Sequence, residues 1–249
     1  MNHLICFASE NMTISRDKCI QSALKHGMDT FTRCSSDDIS DEFFIFNKDI
    51  LEQPRGAGYW LWKPYFIYQA LCSLPEGSYV HYSDAGIEFV GNVQQVIDAM
   101  DNDLMLFSNG WQDVHWSKMD IIRGINGMTF QVTQTQSGNF YNMGDYEDYR
   151  QVQASNLIFK NTEFSRDFVK EWLLLCQIPG WIDDSVSIIP NHPEFQDNRH
   201  DQSILTALCY KYGIKQHWFP STTNLHKRQD FSDRYDPIFL HHRKRNEEW

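Results

Sequence analysis

Apolar and polar positions recur along the chain in two rhythms. HLICFAS (3–9) is a short apolar block of strand length, and SRDKCIQSALKHG (15–27) sets Ile20, Ala23 and Leu24 at helical spacing, with Gly27 placed to close the helix. MDTFTRCS (28–35) suits a second strand and DDISDEFFIFNKDIL (37–51) a mixed loop and short helix. KPYFIYQALCSL (63–74) reads as a helix with Pro64 in its first turn, where a missing N–H does little harm. GSYVHYSD (77–84) returns as a strand. Further on, VQQVIDAM (93–100) reads helical, DLMLFSN (103–109) and ASNLIFKN (154–161) extended, and SRDFVKEWLLLCQ (165–177) strongly helical. DQSILTALCYKYG (201–213) is a helix closed by Gly213, and PIFLHH (237–242) an apolar strand. Strands alternating with helices predict an α/β fold: a Rossmann-like, mixed but mainly parallel sheet flanked by helices, with ligands at the carboxyl ends of its strands. The stretch from Gly110 to Tyr149, rich in Gly, Gln, Asn and aromatics and without clear period, predicts an elaborated binding loop.

Composition narrows the function. At 249 residues, with 41% apolar and 22% charged positions, the chain suits one domain over residues 1–249 with an ordinary core. A formal charge of −11 repels the phosphates of nucleic acid and the surface of an anionic bilayer, so no nucleic-acid partner is expected. The six cysteines are scattered, with no CxxC pair, and read as free thiols of a reducing compartment. No segment approaches a membrane span, and LICFA (4–8) is too short for a signal-peptide core, so a cytoplasmic location is expected. Serine-nucleophile motifs, a P-loop and the GxGxxG fingerprint are missing.

One strand ends in an unusual way. YVHYSDAG (79–86) is an apolar run that stops on Asp84, followed by Ala85 and Gly86, which leave the backbone open to a ligand or metal ion; a tight turn would use the same residues. Before it, RGAGYWLWKPY (55–65) places Arg55 and Lys63 around glycines, Trp60 and Trp62, a set suited to a phosphorylated ligand with ring-shaped parts, although core packing also accounts for a tryptophan.

This order of blocks is similar to the nucleotide-sugar glycosyltransferases of the GT-A fold, especially the glycogenin-like and lipopolysaccharide galactosyltransferase-like retaining groups. A basic residue (Arg55) precedes a helix, and the next strand ends where those enzymes carry the DxD motif, with Asp84 at the first acid and Gly86 at the second. VQASNLIFKN (152–161) resembles the small-residue strand lining the donor-sugar pocket, with Ala154 and Ser155 in place of the usual pair. NRHDQSIL (198–205) resembles the segment whose Asp201–Gln202 pair opens a helix beneath the reacting carbon, and IFLHHRKRNEEW (238–249) the terminal block of a metal-binding histidine and a basic residue on the diphosphate. The YWxWKPY and RHDQS patterns also resemble small glycosyltransferases of bacterial capsules and large algal viruses.

The resemblance implies a hexosyl- or pentosyltransferase of polysaccharide biosynthesis. It would take a nucleotide diphosphate sugar, UDP-linked in the first instance, as donor and a glycan hydroxyl as acceptor, with Mn²⁺ or Mg²⁺ held by Asp84 and by His241 or His242. Arg55, Lys63, Lys244 and Arg245 are then the electrostatic helpers, and an Asp, a His, diphosphate oxygens and waters would suit either ion. Ala85, Ala154 and Ser155 line the donor. Phe7, Ala8 and Ser9 at the end of the first strand, and Asp38 after the second, are placed for base and ribose, and Lys118 and Asp120 for sugar hydroxyls. Asp201, Gln202 and His200 are the candidate catalytic residues, although Asp201 also suits an N-cap. A retaining transfer is the first reading. An inverting transfer would need Asp201, Asp183 or His200 as base, and a glycan-binding module would use the tryptophans without catalysis.

Overall fold

The hydrophobic rhythm of the first half builds β1 (Asn2–Phe7), α1 (Thr13–Lys25), β2 (Thr30–Cys34), the short helices α2 (Asp41–Phe46), α3 (Lys48–Leu51) and α4 (Gly56–Tyr59), then α5 (Trp62–Ser73), β3 (Tyr79–Ser83) and β4 (Ile87–Phe89). The second half adds α6 (Gln94–Asp98), β5 (Leu104–Gln112), α7 (Met119–Asn126), the hairpin β6 (Gln131–Thr135) and β7 (Gly138–Asn142), β8 (Arg150–Lys160), α8 (Glu163–Cys176), α9 (Asp201–Lys211), β9 (Gln216–Trp218) and β10 (Phe239–His241). The structure, a computed structural model, describes residues 1–127, 131–135, 138–222 and 236–249, with backbone alone over 131–135 and 138–142.

Six strands form the main sheet in the order β2-β1-β3-β8-β5-β9. β1 pairs in parallel with β2 and β3, and β5 with β9, while β8 runs antiparallel to both its neighbours. This is the mixed, mainly parallel sheet that the strand–helix alternation predicts. Side-chain alternation gives the sheet two apolar faces. Ile5 and Phe7 of β1 face a core completed by α5, α8 and α9, whereas Leu4 and Cys6 face α1, α6 and the small β4–β10 ladder. Burial of both faces explains why the strands read as near-continuous apolar runs.

Between β5 and β8 the aperiodic stretch contains α7, the β6–β7 hairpin and a 3-10 turn at Gly144–Asp148, over a small core of Val114, Met119, Ile122, Met143 and Tyr146. Part of that stretch lies outside the described residues. The predicted strand PIFLHH forms β10, but it pairs antiparallel with β4 and not with the main sheet, because β4 immediately follows Asp84 and Gly86 and turns the chain off the sheet plane. All six cysteines are free thiols. Among the described residues no helix is long and apolar enough to cross a membrane.

Candidate active site

Parallel pairing of β1 and β3 brings their carboxyl ends to one edge, so Phe7, Ala8 and Ser9 meet Asp84 and Ala85 along one wall of a cavity of about 430 Å³. β8 enters this edge from the opposite direction and is irregular there. Leu106 of β5 pairs with Leu157, yet Ser108 pairs with Val152, so β8 carries extra residues between those pairs. A bulge of this kind re-aims side chains beside a site. Val152 and Ala154 remain in the core, while Gln153 and Ser155 line the cavity, and Asp84 N–H is tied to the Ser155 carbonyl at 2.9 Å.

Beneath this wall lies a charged cluster. Tyr82 and Asp84, two residues apart on one strand, point the same way, and the Tyr82 hydroxyl donates to Asp84 Oδ1 at 2.5 Å. Lys63, in the first turn of α5, is buried, donates to the Ala154 carbonyl at 3.0 Å, and lies 3.2 Å from Asp201 Oδ2 and 3.8 Å from Asp84 Oδ1. Burial alone would pull its ammonium down, but Asp201 and Asp84 outweigh that and hold it above its ordinary value. Burial pushes the Asp201 carboxyl up to about 6, with Lys63 pulling the other way. Asp201 is the first residue of α9, where the helix dipole favours a carboxylate, and its carbonyl accepts from Trp172 Nε1 at 2.9 Å.

The facing wall is a left-handed turn. Gly56, Ala57, Gly58, Tyr59 and Trp60 all have positive φ, between 50° and 96°, which is costly for three non-glycine residues in succession around one glycine. Gly58 is required, because its φ is +96° and a Cβ there would lie 2.8 Å from Leu51 Cα. The turn delivers Ala57 and Trp60 to the cavity, while Trp62, stacked on Phe7 with centroids 3.7 Å apart, belongs to both cavity and core.

The third wall is the segment after β10. His242 N–H donates to the Gly86 carbonyl at 3.0 Å, and a Cβ at position 86 would meet Arg243 Cα at 3.0 Å. Glycine at position 86 therefore lets the chain through His241 and Arg243 close against the site. His241 and Arg243 line the cavity. Burial lowers His241 to about 4, leaving a neutral ring, and its Nε2 is buried without a hydrogen-bond partner among the described residues. A neutral imidazole with an unused nitrogen beside a carboxylate is a donor set that a divalent ion fits, completed by ligand oxygens and water.

A second cavity of about 640 Å³ adjoins the first and shares Gln153, His241 and Arg243 with it. Trp111, Trp116, Arg199 and Gln202 line it. An amide relay reaches it from the core: Gln151 Nε2 donates to buried Asp113 Oδ1 at 3.1 Å, so Gln151 Oε1 faces outward and accepts from Gln202 Nε2 at 2.6 Å and Asn109 Nδ2 at 3.0 Å. Gln202 Oε1 in turn accepts from Ala154 N–H at 3.2 Å. Because ionised Asp113 is an acceptor only, it fixes the orientation of every amide in the chain.

Of the sequence candidates, Phe7, Ala8, Ser9, Asp84, Ala85, Ser155, Gln202, His241 and His242 line the two cavities. Lys63, Ala154 and Asp201 lie buried directly behind them. The others are engaged elsewhere. Arg55 bridges Asp184 and Asp197 at 2.8 and 2.9 Å. His200, buried with the unusual φ of 55°, stacks on Tyr59 and packs tilted against Trp60, and its Nδ1 meets the Ile182 carbonyl at 2.6 Å. Lys118 holds the Gly180 carbonyl and Asp183, and hydrogen bonds from Ser185 and Gly180 hold Asp183 down to about 2 against burial. Asp120 accepts from Ile188 and Ile189 N–H, and Asp38 caps its own 3-10 turn through Ser35. Lys244 stacks over Trp249, and Arg245 N–H binds Glu248. His242 Nδ1 accepts from Lys244 N–H at 3.0 Å, and its Nε2 faces Glu88 at 3.8 Å. Arg243, Gln153 and Tyr82 are cavity residues that sequence reasoning did not single out. Only Tyr82 carried a signal, its two-residue offset from Asp84.

No protein-family model matches the chain, and no curated protein matches it by sequence. Among solved structures it is similar to the apo structure of WbbM, a bifunctional glycosyltransferase, at 10% identity and a TM-score of 0.49 over 97% of this chain and 45% of that one, so it spans less than half of that protein. It is also similar to mouse xyloside xylosyltransferase 1 in apo form, at 9% identity and a TM-score of 0.49 over 98% of each chain. A third is the galactosyltransferase LgtC in complex with donor and acceptor sugar analogs, at 11% identity and a TM-score of 0.48 over 97% of this chain and 87% of that one.

Proposed function

We propose that the chain, as one domain over residues 1–249, transfers a sugar from a nucleotide diphosphate donor, UDP-linked in the first instance, to a glycan hydroxyl. The observation that carries this reading is the pair of adjoining cavities that share Gln153, His241 and Arg243. The first offers aromatic and small residues for a base and ribose, with Asp84, His241 and Arg243 for a diphosphate. The second offers Trp111 and Trp116 for an acceptor ring and Arg199 and Gln202 for its hydroxyls. Transfer then takes place across the shared wall.

Asp84 and His241 are the residues that would hold Mn²⁺ or Mg²⁺, and the ion, when bound, neutralises the charge that builds on the leaving diphosphate. Arg243 adds a fixed cation beside the same oxygens. Buried Lys63 lies between buried Asp201 and cavity-lining Asp84 and offsets both charges, and Asp201 acts on the donor wall through Lys63 because it does not line either cavity. Gln202, oriented by Gln151 and Asp113, presents a defined amide face to the acceptor side. Among the described residues, Asp84 is the one carboxylate lining the two cavities. With Asp84 assigned to the ion, the acceptor's proton goes to the departing phosphate, which favours retention.

Calorimetric titration of UDP with and without Mn²⁺ tests the reading. Wild type should bind UDP much more tightly with Mn²⁺, and Asp84→Ala and His241→Ala should lose that gain while remaining folded. Ion-independent UDP affinity would remove Asp84 and His241 from metal binding. No UDP affinity at all, together with binding of oligosaccharides, would favour a glycan-binding module.

A further inference from the structure

Away from both cavities, three separate stretches of chain bring metal-ligating side chains together. His115 ends the 3-10 turn after β5, His192 and Glu194 lie in the irregular connection between α8 and α9, and Glu147 lies in the 3-10 turn before β8. One ring nitrogen of His115, one of His192 and a Glu194 carboxylate oxygen lie within 4.8 Å of one another. His115 Nε2 is 2.8 Å from Glu194 Oε2, and His192 Nε2 is 2.9 Å from Glu147 Oε1. Glu194 N–H donates to His192 Nδ1 at 3.2 Å. His192 Nδ1 is therefore an acceptor facing Glu194, which places the ring N–H on Nε2, directed at Glu147.

We propose that His115, His192 through Nδ1, and Glu194 form a site for a divalent transition metal, zinc foremost, with Glu147 as the outer carboxylate that orients His192. Two imidazoles and a carboxylate are donors that suit zinc, whereas magnesium prefers an all-oxygen set. A histidine that binds through one nitrogen and gives the other N–H to a carboxylate is the usual arrangement around such ions. Zinc bonds of about 2.0–2.2 Å bring tetrahedral donors to roughly 3.3 Å from one another. Closing the present spread takes small rotations of the partly exposed His115 ring and of Glu194, whose side chain is 69% exposed. Loading displaces the long Glu194 N–H contact to His192 Nδ1 and the 2.8 Å contact between His115 Nε2 and Glu194 Oε2, whose proton passes to solvent. Three protein ligands leave the fourth position to water.

The ion would clamp the connection that delivers Arg199, His200 and Asp201. Two backbone bonds already fasten it there, Gln196 N–H to the His115 carbonyl at 2.8 Å and Arg199 N–H to the Trp116 carbonyl at 3.0 Å. The site stands apart from Asp84 and His241, so the two can be tested separately. Zinc chloride is titrated by calorimetry into the metal-stripped full chain and its variants, and Co²⁺ absorption reports four-coordinate geometry. Wild type and Asp84→Ala should bind zinc at this site with equal affinity and gain thermal stability with it. Glu194→Gln, at an exposed position that leaves the fold intact, and His115→Ala should bind at least about tenfold more weakly, and Glu147→Gln about tenfold. No saturable zinc binding by wild type, unchanged affinity in Glu194→Gln and His115→Ala, or loss of all zinc binding in Asp84→Ala would each overturn the proposal.

Discussion

Lys63→Met removes the cation between two carboxylates at little change in side-chain volume, and its effect follows from the geometry. Lys63 and Asp201 are each 4% exposed and 3.2 Å apart. Coulomb's law at an effective dielectric near 20 puts their attraction at about 5 kcal/mol, and deleting one partner of a buried pair costs about 3–5 kcal/mol. Asp84, 42% exposed and 3.8 Å away, is screened by water and adds little. The acid left behind sets the pH dependence. In the wild type, burial raises Asp201 from 3.8 to about 6, so the folded state holds this proton more tightly than the unfolded chain. The stability gained that way is complete below 3.8 and lost as pH rises through about 6, a change of about 3 kcal/mol at ~1.36 kcal/mol per pH unit. Without Lys63 the folded value rises further and the loss extends to higher pH. Urea unfolding should therefore show Lys63→Met destabilised by about 3–5 kcal/mol at pH 8 and by clearly less at pH 5, where Asp201 is largely protonated in both proteins. Lys63→Met combined with Asp201→Asn should recover most of the pH 8 loss. Equal losses at both pH values, or no recovery in the double variant, would refute the coupling.

Gly86→Ala should cost about 1–3 kcal/mol by overpacking and weaken UDP binding, because its Cβ meets the Arg243 backbone; wild-type melting and affinity would show that the segment yields freely. Asp113→Asn keeps one accepting oxygen and turns its NH2 either towards the Tyr146 hydroxyl or towards the Ser117 and Gln151 donors. It should lose about 1–3 kcal/mol per group left unsatisfied, read by chemical unfolding, and an unchanged midpoint would mean that Asp113 does not set the amide relay. Arg243→Ala should weaken UDP by about 1.5–3 kcal/mol, the scale of a charged hydrogen bond, with the melting temperature unchanged. Equal UDP affinity would place its guanidinium outside the diphosphate site.

The fold class was legible because both faces of the sheet are buried. Strands covered on two sides must be apolar throughout, and helices packed on them must be apolar every third or fourth residue, so the period alone separates the two. The strand-end positions of Phe7, Ala8, Ser9 and Asp84 followed from that class, since parallel strands bring their carboxyl ends to one edge. The short strands β4 and β9 were too brief for their period to show, whereas α7, with Met119, Ile122 and Ile125 on one buried face, lies within the stretch read as aperiodic. What each polar side chain does was decided only in three dimensions. Arg55 and Lys63 stand eight positions apart in one motif, yet Arg55 is spent on Asp184 and Asp197 while Lys63 is buried against Asp201, because the left-handed turn at 56–60 separates them, leaving Arg55 before it and Lys63 in the first turn of α5 against the sheet. At the other end of the chain, Arg243 enters the site and its neighbours Lys244 and Arg245 do not, since the antiparallel β4–β10 pairing and the missing side chain at Gly86 fix which residue faces the cavity. Composition and spacing name the residue types at a strand end, but pairing across more than 150 residues of sequence selects which of them meet.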